Sequence, residues 1–426
     1  MKFKYKRAIA FLVILFLIVS YLRGISNLLT VSDKTTLRQS TRSNPQSHVY
    51  LTHNGSFPSL SKMKAHPEND DGEDRAVMTN GKKHLLILAA TRTGSSFVGE
   101  FFNQQRDNMS YLYEPLWYVE RMLTVDGRIN VTATDMVYPD VLRELFLCNF
   151  SLLENFIQPR PVDHIMKRFF RRHVSSSLCE ESVCSPPIRR DSKTPNCGTR
   201  DCGPLNLTMA SELCLQKKHR VIKVVRVYHF HILQPLAEDP SLDIKFLQLV
   251  RDPRAIIASR MEAFGRYENL KKWGNGEDVP LDENDLKKVK TTCETVRRSA
   301  ELGLSQPPWL HRRYMLVRYE DIARFPMKKA AEMYQFSGIP FTPEMKSWIL
   351  NSTSKETWGS YSTQKRSFEH VDKWRFTLPF KVVQVIQRIC LPTIKFFGYK
   401  IVTSEEMLRN KFVSLIVDKD SSISWT

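Results

Sequence analysis

The sequence has no Cys-x-x-Cys pair, no internal repeat and no low-complexity tract. At least four residues separate each cysteine from the next, which argues against a zinc site because zinc ligands usually include more closely spaced pairs. Disulfide bonds in an oxidising compartment are the better interpretation. The eight cysteines are Cys148, Cys179, Cys184, Cys197, Cys202, Cys214, Cys293 and Cys390, and their pairing stays open.

Acidic residues are too few to balance the basic ones. The chain has 45 Asp and Glu against 63 Lys and Arg, a formal net charge of +18 at pH 7. Such a surface attracts polyanions, whether nucleic acid, anionic membrane or sulfated glycan, and composition does not choose between them. With 426 residues and 42% hydrophobic content, the chain can bury a substantial core as one large or two ordinary domains.

A long apolar run lies near the N-terminus, at residues 8–22, and is interrupted only by Ser20. Basic residues precede it and Arg23 closes it, so the positive-inside rule predicts a type II orientation. We therefore predict a cytoplasmic tail at 1–7, a signal-anchor transmembrane helix at 8–22, a flexible lumenal stem at 23–83 and a lumenal domain at 84–426. A cleaved signal peptide is the alternative, but no convincing small-x-small cleavage site follows the run.

Sequons for N-glycosylation support a lumenal location independently, because they act only in the secretory pathway. Two of them could be buried and unused, those of Asn108 and Asn149. The sequons begin at Asn54, Asn108, Asn130, Asn149, Asn206 and Asn351.

The stretch at residues 85–105 predicts a strand, a tight loop and a helix. Residues 85–90 are an unbroken apolar run, and small polar residues follow up to Ser96. From Phe97 onwards the apolar residues recur at helical spacing. The free amides of the first helical turn would face one spot, and Gly94 lets the backbone approach an anion closely. The alternative is a strand-to-helix turn without a ligand.

This loop departs from the nucleotide-kinase pattern G-x-x-x-x-G-K-[ST]. Ala89 replaces the first glycine and Ser95 replaces the lysine, while Gly94 and the Ser96 hydroxyl are kept. Arg92 supplies a cation at a different place. We therefore expect a phosphate ligand whose chemistry needs no magnesium.

Three further strands are predicted downstream. Residues 220–227 carry Lys223 and Arg226 near the strand exit, and residues 243–260 read as a strand, a turn and a helix. Arg251 would leave that strand at the carboxyl edge, where ligands bind in parallel sheets. Residues 314–319 form the last strand, followed by a helix that begins at Glu320 and Asp321 and continues beyond Pro326. We expect these two acids to be structural.

From about residue 84 to the C-terminus the sequence resembles the Golgi carbohydrate 6-O-sulfotransferases, and most of all their chondroitin branch. The motifs that carry the resemblance are TRTGSSF, LYEP, GEFFNQQ, AEDPSLD, LVRDPRAIIASRM, SAELGL, YMLVRYEDIAR and YSTQK. The resemblance implies a P-loop-like, three-layer α/β sulfotransferase fold with a central parallel sheet. It also implies 3′-phosphoadenosine 5′-phosphosulfate (PAPS) as donor, no metal, and transfer to the 6-hydroxyl of GalNAc in chondroitin.

The resemblance also implies roles for particular residues. In distant cytosolic relatives a strand carries a lysine and, two residues later, the catalytic histidine; here Lys223 matches the lysine but Val225 replaces the histidine. Glu114 is then the expected general base, with Arg92 and Lys223 stabilising charge, and His229 is the second choice. A capping or salt-bridge role for Glu114 is the structural alternative. The 5′-phosphosulfate loop would comprise Thr91, Arg92, Thr93, Gly94, Ser95, Ser96 and Phe97, and the 3′-phosphate site Arg251, Asp252, Pro253, Arg254, Ala255, Ile256, Ile257, Ala258 and Ser259.

The remaining expectations concern the acceptor and partners. A basic patch at residues 167–173 would hold a glycosaminoglycan, chondroitin or keratan, unless it is simply a solvated helix face. The Lys373-Trp374-Arg375 element resembles one that closes over the nucleotide. A place for Trp374 in the core is the alternative. Partners would be the Golgi membrane and, as an open option, a second copy of the chain, but no nucleic acid.

Three alternative functions stay open. They are a 6-O-sulfotransferase acting mainly on galactose or GlcNAc, a glycan kinase, and a membrane-anchored glycan-binding protein without transfer activity.

Overall fold

Seven strands and fourteen α-helices make up the part of the chain that the computed structural model describes, namely residues 81–152, 174–180, 182–183, 205–354 and 370–417. All of these residues belong to the unit Glu68–Thr426. The strands are β1 (Lys83–Ala89), β2 (Met109–Tyr113), β3 (Thr124–Val125), β4 (Arg128–Ile129), β5 (His219–Val224), β6 (Ile244–Val250) and β7 (Tyr314–Arg318).

The helices lie on both sides of the main sheet. They are α1 (Ser95–Asn103), α2 (Leu116–Met122), α3 (Val131–Phe146), α4 (Leu207–Gln216), α5 (Gln234–Glu238), α6 (Pro253–Phe264), α7 (Glu268–Gly274), α8 (Glu283–Leu304), α9 (Tyr319–Arg324), α10 (Pro326–Ser337), α11 (Pro343–Ser354), α12 (Lys373–Thr377), α13 (Phe380–Phe396) and α14 (Glu405–Arg409).

The central sheet is fully parallel, with the strand order β2-β5-β1-β6-β7, while β3 and β4 form a separate antiparallel pair. Strand β1 is central, and its Leu86 pairs in register with Ile222 on one side and Phe246 on the other. Both faces are covered, which explains why the strands are continuous apolar runs. The α/β class with a central parallel sheet is confirmed.

Alternate residues of the strands enter two separate cores. Leu86 and Ile222 belong to the larger core, which α3, α8 and α13 help to form. Leu85 and Ile87 belong to the smaller core, where α1 contributes Phe97, Val98, Phe101 and Phe102. This alternation is the period-2 pattern of a strand buried on both sides, and it gives the three layers.

One helix differs from expectation. The sequence suggested a helix running from Glu320 past Pro326, but α9 ends at Arg324 and α10 begins at Pro326. Phe325 between them has φ −131° and ψ 58°, outside the helical region. Proline lacks an amide donor and disfavours helical geometry in the residue before it, so the break is a local consequence of Pro326.

Disulfides stabilise the larger core. Cys148 pairs with Cys214, and Cys293 on α8 pairs with Cys390 on α13. Cys179 is also disulfide-bonded. The prediction of disulfides is confirmed for these residues.

Several predictions fall on parts of the chain outside the described residues: the anchor at 8–22, nearly all of the stem and the basic patch at 167–173. Across the described ranges, which begin at residue 81, no helix has the length and apolar character to cross a bilayer. The sequon residues Asn108 and Asn149 are exposed, so burial does not exclude them as glycan acceptors.

Candidate active site

The loop between β1 and α1 has the tight conformation that its small residues predicted. Arg92 and Gly94 both have positive φ, 73° and 89°. Thr93 is buried, and its hydroxyl donates to the Ala90 carbonyl at 2.9 Å. A Cβ built on Gly94 would lie 2.3 Å from the Tyr319 ring, so glycine is required for both backbone conformation and space.

Helix α1 begins directly after this loop. Gly94 is its N-cap residue and provides no side-chain hydrogen bond to the first turn, which contains no acidic residue. The first amides of a helix lack partners within the helix and carry the positive end of its dipole. The Ser96 hydroxyl hydrogen-bonds the Tyr113 hydroxyl at 2.8 Å, which joins the helix start to the end of β2. This end of α1 has the properties of an anion-binding site.

Arg251 joins the β1–α1 loop to the end of β6. Its guanidinium donates to the Arg92 carbonyl at 3.2 Å and to the His370 carbonyl at 3.0 Å, and lies 4.6 Å from the centre of the Tyr319 ring. Its Nε is buried and has no hydrogen-bond partner among the described residues. A buried donor without an acceptor is costly, so this nitrogen suits an anionic ligand.

Ser259 lies on α6 beside the same loop. Its hydroxyl accepts a hydrogen bond from Arg92 Nε at 2.9 Å. The fold thus brings together two segments that are far apart in sequence, the β1–α1 loop and residues 251–259.

The rest of residues 251–259 mostly supports α6. Asp252 caps the helix by accepting from the Arg254 amide, and its carboxylate pairs with the Arg254 guanidinium at 2.7 Å. Arg254 is fully buried, donates to Gln387 and lies over Trp374. Three apolar side chains of the stretch are core residues, and the prolyl ring is buried: Ala255, Ile256, Ile257 and Pro253.

Glu114 follows β2 and pairs with two cations, the buried Lys223 and the largely buried Arg226. Its Oε1 accepts from Lys223 Nζ at 2.5 Å and its Oε2 from Arg226 Nη1 at 3.0 Å. Glu114 has a positive φ of 51°, and its amide donates to the Lys223 carbonyl at 2.8 Å. The Lys223 ammonium also lies 4.0 Å from the centre of the Tyr113 ring. The expected base and the expected lysine are therefore direct partners.

Sequence reasoning missed two members of this network, Glu120 and Tyr228. Arg226 Nε donates to Glu120 Oε1 at 3.1 Å, and the Tyr228 hydroxyl donates to Glu120 Oε2 at 2.8 Å. Burial alone would lower the pKa of Arg226, but the carboxylates of Glu114 and Glu120 outweigh it and raise that pKa. Charge balance was the available signal, because two largely buried cations at one strand exit favour two carboxylate partners.

Other predicted residues have different surroundings. His229, the second choice as base, is half-exposed and pairs with Asp135 at 2.7 Å. Glu320 is buried and accepts hydrogen bonds from the Asp252 amide and the Tyr399 hydroxyl, which fits the predicted structural role. Burial raises its pKa.

The late basic element at residues 373–375 is largely internal. Trp374 is a core residue, and Arg375 is fully buried and donates to the carbonyls of Met407, Leu408, Asn410 and Val413. Lys373 pairs with Glu262 at the surface. The alternative for Trp374, a place in the core, is confirmed.

Comparison with known proteins agrees with this geometry. The family model for the sulfotransferase domain matches residues 82–398, and the chain belongs to this family. More particularly, it is 50% identical over 351 residues to Carbohydrate sulfotransferase 3 of Homo sapiens, covering 81% of this chain and 73% of the relative. It is 44% identical over 354 residues to Carbohydrate sulfotransferase 1 of Homo sapiens, covering 80% and 84%. The protein is therefore a sulfotransferase, and the resemblance to the carbohydrate sulfotransferases is confirmed.

Among solved structures, a mouse sulfotransferase complexed with PAP is similar over 74% of this chain and 84% of its own, at 11% identity and a TM-score of 0.37.

Proposed function

We propose that this protein transfers a sulfuryl group from PAPS to the 6-hydroxyl of GalNAc in chondroitin, with galactose in keratan as a second acceptor. The main support is the convergence of two charged clusters at the carboxyl edge of the sheet. Arg92, Arg251 and Ser259 lie between β1 and β6, and Glu114 with Lys223 lies between β2 and β5. The names of the similar carbohydrate sulfotransferases support a sugar acceptor.

The residues between β1 and β6 fit the two phosphate groups of the donor. Arg251 has a buried Nε available for an acceptor atom, and Ser259 offers a hydroxyl beside it, which suits the 3′-phosphate. The start of α1 has no side-chain cap and no acidic residue in its first turn, which suits the 5′-phosphosulfate. In this proposal the loop from Thr91 to Phe97 forms one part of the donor site, and Arg251 and Ser259 form the other. The residues between Arg251 and Ser259 support α6 instead.

The donor supplies an activated sulfur, so the protein must position the acceptor and take up one proton. The sugar oxygen forms the new S–O bond, the S–O bond to the donor phosphate breaks, and the hydroxyl proton goes to the Glu114 carboxylate. Lys223 and Arg226 hold the two oxygens of this carboxylate in place, so the proton acceptor is oriented before the acceptor sugar binds. Arg92 and Lys223 provide positive charge for the transferring group and the departing phosphate.

We also propose the topology expected from the sequence: tail 1–7, anchor 8–22, stem 23–83 and lumenal domain 84–426, in the Golgi membrane as a single-pass type II glycoprotein. The disulfides support an oxidising compartment. The exposed sequon residues Asn108, Asn130 and Asn149 support accessible glycan acceptors.

The test of substrate uses the full chain expressed in cultured cells. Membranes would be incubated with sulfate-labelled PAPS and desulfated chondroitin or desulfated keratan, and the products digested to disaccharides. We expect label on the 6-position of GalNAc. Label mainly on galactose or GlcNAc would overturn the proposed acceptor, and no label on any glycan despite PAPS binding would favour the binding-protein alternative.

Replacing the proposed base tests the mechanism. Glu114→Gln should lower kcat about 100-fold to 10,000-fold, the usual contribution of general base catalysis. Binding of PAP, the donor without its sulfuryl group, should be retained. Glu332→Gln is the matched control, because Glu332 pairs only with Lys329 on the surface of α10 among the ion pairs described. A Glu114→Gln enzyme with normal kcat would exclude Glu114 as the base.

A further inference from the structure

The charged network around Glu114 reaches beyond the residues that contact either substrate in the proposed function. It contains two carboxylates and two cations, so its charges balance: Glu114, Glu120, Lys223 and Arg226. All four are largely buried, with side-chain exposures of 9%, 17%, 1% and 13% in that order. Burial strengthens such contacts and makes the removal of any single partner costly.

Arg226 is the central member because it contacts both carboxylates at once. Nη1 donates to Glu114 at 3.0 Å, and Nε donates to Glu120 at 3.1 Å. Glu114 precedes α2 and Glu120 lies within it, while Arg226 follows β5. The guanidinium therefore fixes the β2–α2 turn against the end of β5. A lysine has one nitrogen on a flexible stem and cannot reproduce this two-point contact.

Glu120 is itself held in place. Its second oxygen accepts from the Tyr228 hydroxyl at 2.8 Å, so both Glu120 oxygens are bound. Burial, together with the Glu120 charge, raises the pKa of Tyr228, which keeps this hydroxyl a donor. The chain of contacts runs from Tyr228 through Glu120 and Arg226 to Glu114 Oε2.

The two cations that contact Glu114, Lys223 and Arg226, differ in their other contacts and proposed roles. Lys223 contacts Oε1 and is also the residue proposed to stabilise the transferring group. Arg226 contacts Oε2 and also pairs with Glu120. In the proposed mechanism Lys223 turns to the donor, and Arg226 still orients the carboxylate of Glu114, whose backbone has the unfavourable positive φ of 51°.

From these contacts, and resting on the proposed function, we propose that Arg226 is a positioning residue that holds Glu114 Oε2 and leaves Oε1 directed at the acceptor hydroxyl. Glu120 and Tyr228 fix the guanidinium in that position.

The test compares Arg226→Gln and Arg226→Lys in the full chain, measuring kcat, the KM for PAPS and for the acceptor, and the pH profile. We expect kcat to fall about 100-fold in Arg226→Gln, as for a misplaced catalytic group, with the KM for PAPS within twofold of the wild type. Arg226→Lys should recover part of this loss. Arg143→Gln is the matched control, because it removes another partly buried ion pair, with Asp239, that does not touch Glu114.

The pH profile separates positioning from a merely structural role. Loss of the Arg226 cation makes the carboxylate easier to protonate, so activity should fall at a higher pH on the acid side; Arg226→Lys should show a smaller shift. Other groups near Glu114 are unchanged in these variants. They are Lys223, Glu120, Tyr111 and Tyr113.

A double variant gives the sharpest result. If Arg226 acts through Glu114, Glu114→Gln combined with Arg226→Gln should be no slower than Glu114→Gln alone. Additive losses, or a kcat for Arg226→Gln equal to that of Arg143→Gln, would overturn the proposal. If Arg226→Gln does not accumulate, Glu120→Gln and Tyr228→Phe test the same chain of contacts, and wild-type kcat in both would overturn it equally. Inactivity of the wild type on every glycan would refute the proposed function instead.

Discussion

Gly94→Ala should damage the donor loop for two separable reasons. The first is backbone conformation, because φ at Gly94 is 89° and an L-residue there costs about 1–2 kcal/mol. The second is space, because the new methyl group would lie 2.3 Å and 2.4 Å from two carbons of the Tyr319 ring. Overpacking of this kind costs about 1–3 kcal/mol. Together we expect a loss of about 2–5 kcal/mol in the free energy of unfolding.

The chain contains a matched control for the first reason. Gly276 has φ 88°, but a Cβ added there meets nothing within 4 Å. Gly276→Ala should therefore cost only the conformational part, and the difference between the two variants measures the contact with Tyr319. The assay is the melting temperature of the full chain in detergent, where 1 kcal/mol corresponds to about 2–4 °C in domains of 150–250 residues and less in this larger unit.

PAP binding should be affected more in Gly94→Ala than in Gly276→Ala, as stability is. Tyr319 also lies against the Arg251 guanidinium, so pushing its ring away should weaken PAP binding in Gly94→Ala and leave it unchanged in Gly276→Ala. Equal melting temperatures for the two variants, together with equal PAP affinity, would refute the close packing of Gly94 on Tyr319 as the reason for glycine in this loop.

Three further perturbations have defined outcomes. Arg251→Gln should weaken PAP binding about tenfold to 100-fold by calorimetry, the value of a charge-assisted hydrogen bond, with Arg313→Gln before β7 as control; equal affinities would contradict the 3′-phosphate assignment. Burial lowers the pKa of His84 and of His219 to about 4, so the unfolded chain takes up more protons below about pH 6.5, and stability should fall by about 2 kcal/mol for each histidine at pH 5. Melting at pH 7 and pH 5 measures this, and a melting temperature independent of pH would oppose it. Replacing Cys293 and Cys390 by serine should cost about 4 kcal/mol, because that disulfide closes a loop across 97 positions, and an unchanged melting temperature would argue against this role.

The local sequence was enough to predict the strands of the central sheet and the half of the site around Arg92 and Arg251. The apolar run of β1 ends where small residues begin, and Arg251 follows a second such run, so both were expected at one edge of a parallel sheet. Arg92 and Ser259 do meet there. The break at Pro326 was equally local and could have been predicted from the proline alone.

The half of the site around Glu114 depends on the order of the strands in the sheet, which residue types do not specify. Arg226 reaches Glu120 only because β5 lies next to β2, a pairing between segments about 100 residues apart. Arg254 shows the same limit. It belongs to a motif expected at the donor, yet it is buried against Gln387 of α13, and nothing in residues 251–259 indicates which way its side chain turns.

The central position of β1 has an evolutionary consequence. The proposed donor contacts lie on its β6 side and the proposed proton acceptor on its β5 side, so each set can change without rebuilding the other. Enzymes encoded by duplicated copies of such a gene can keep PAPS as the donor and diverge in the acceptor sugar. The substitutions responsible would be confined to the segments after β2 and β5. An exchange of those two segments between relatives should carry acceptor preference with it.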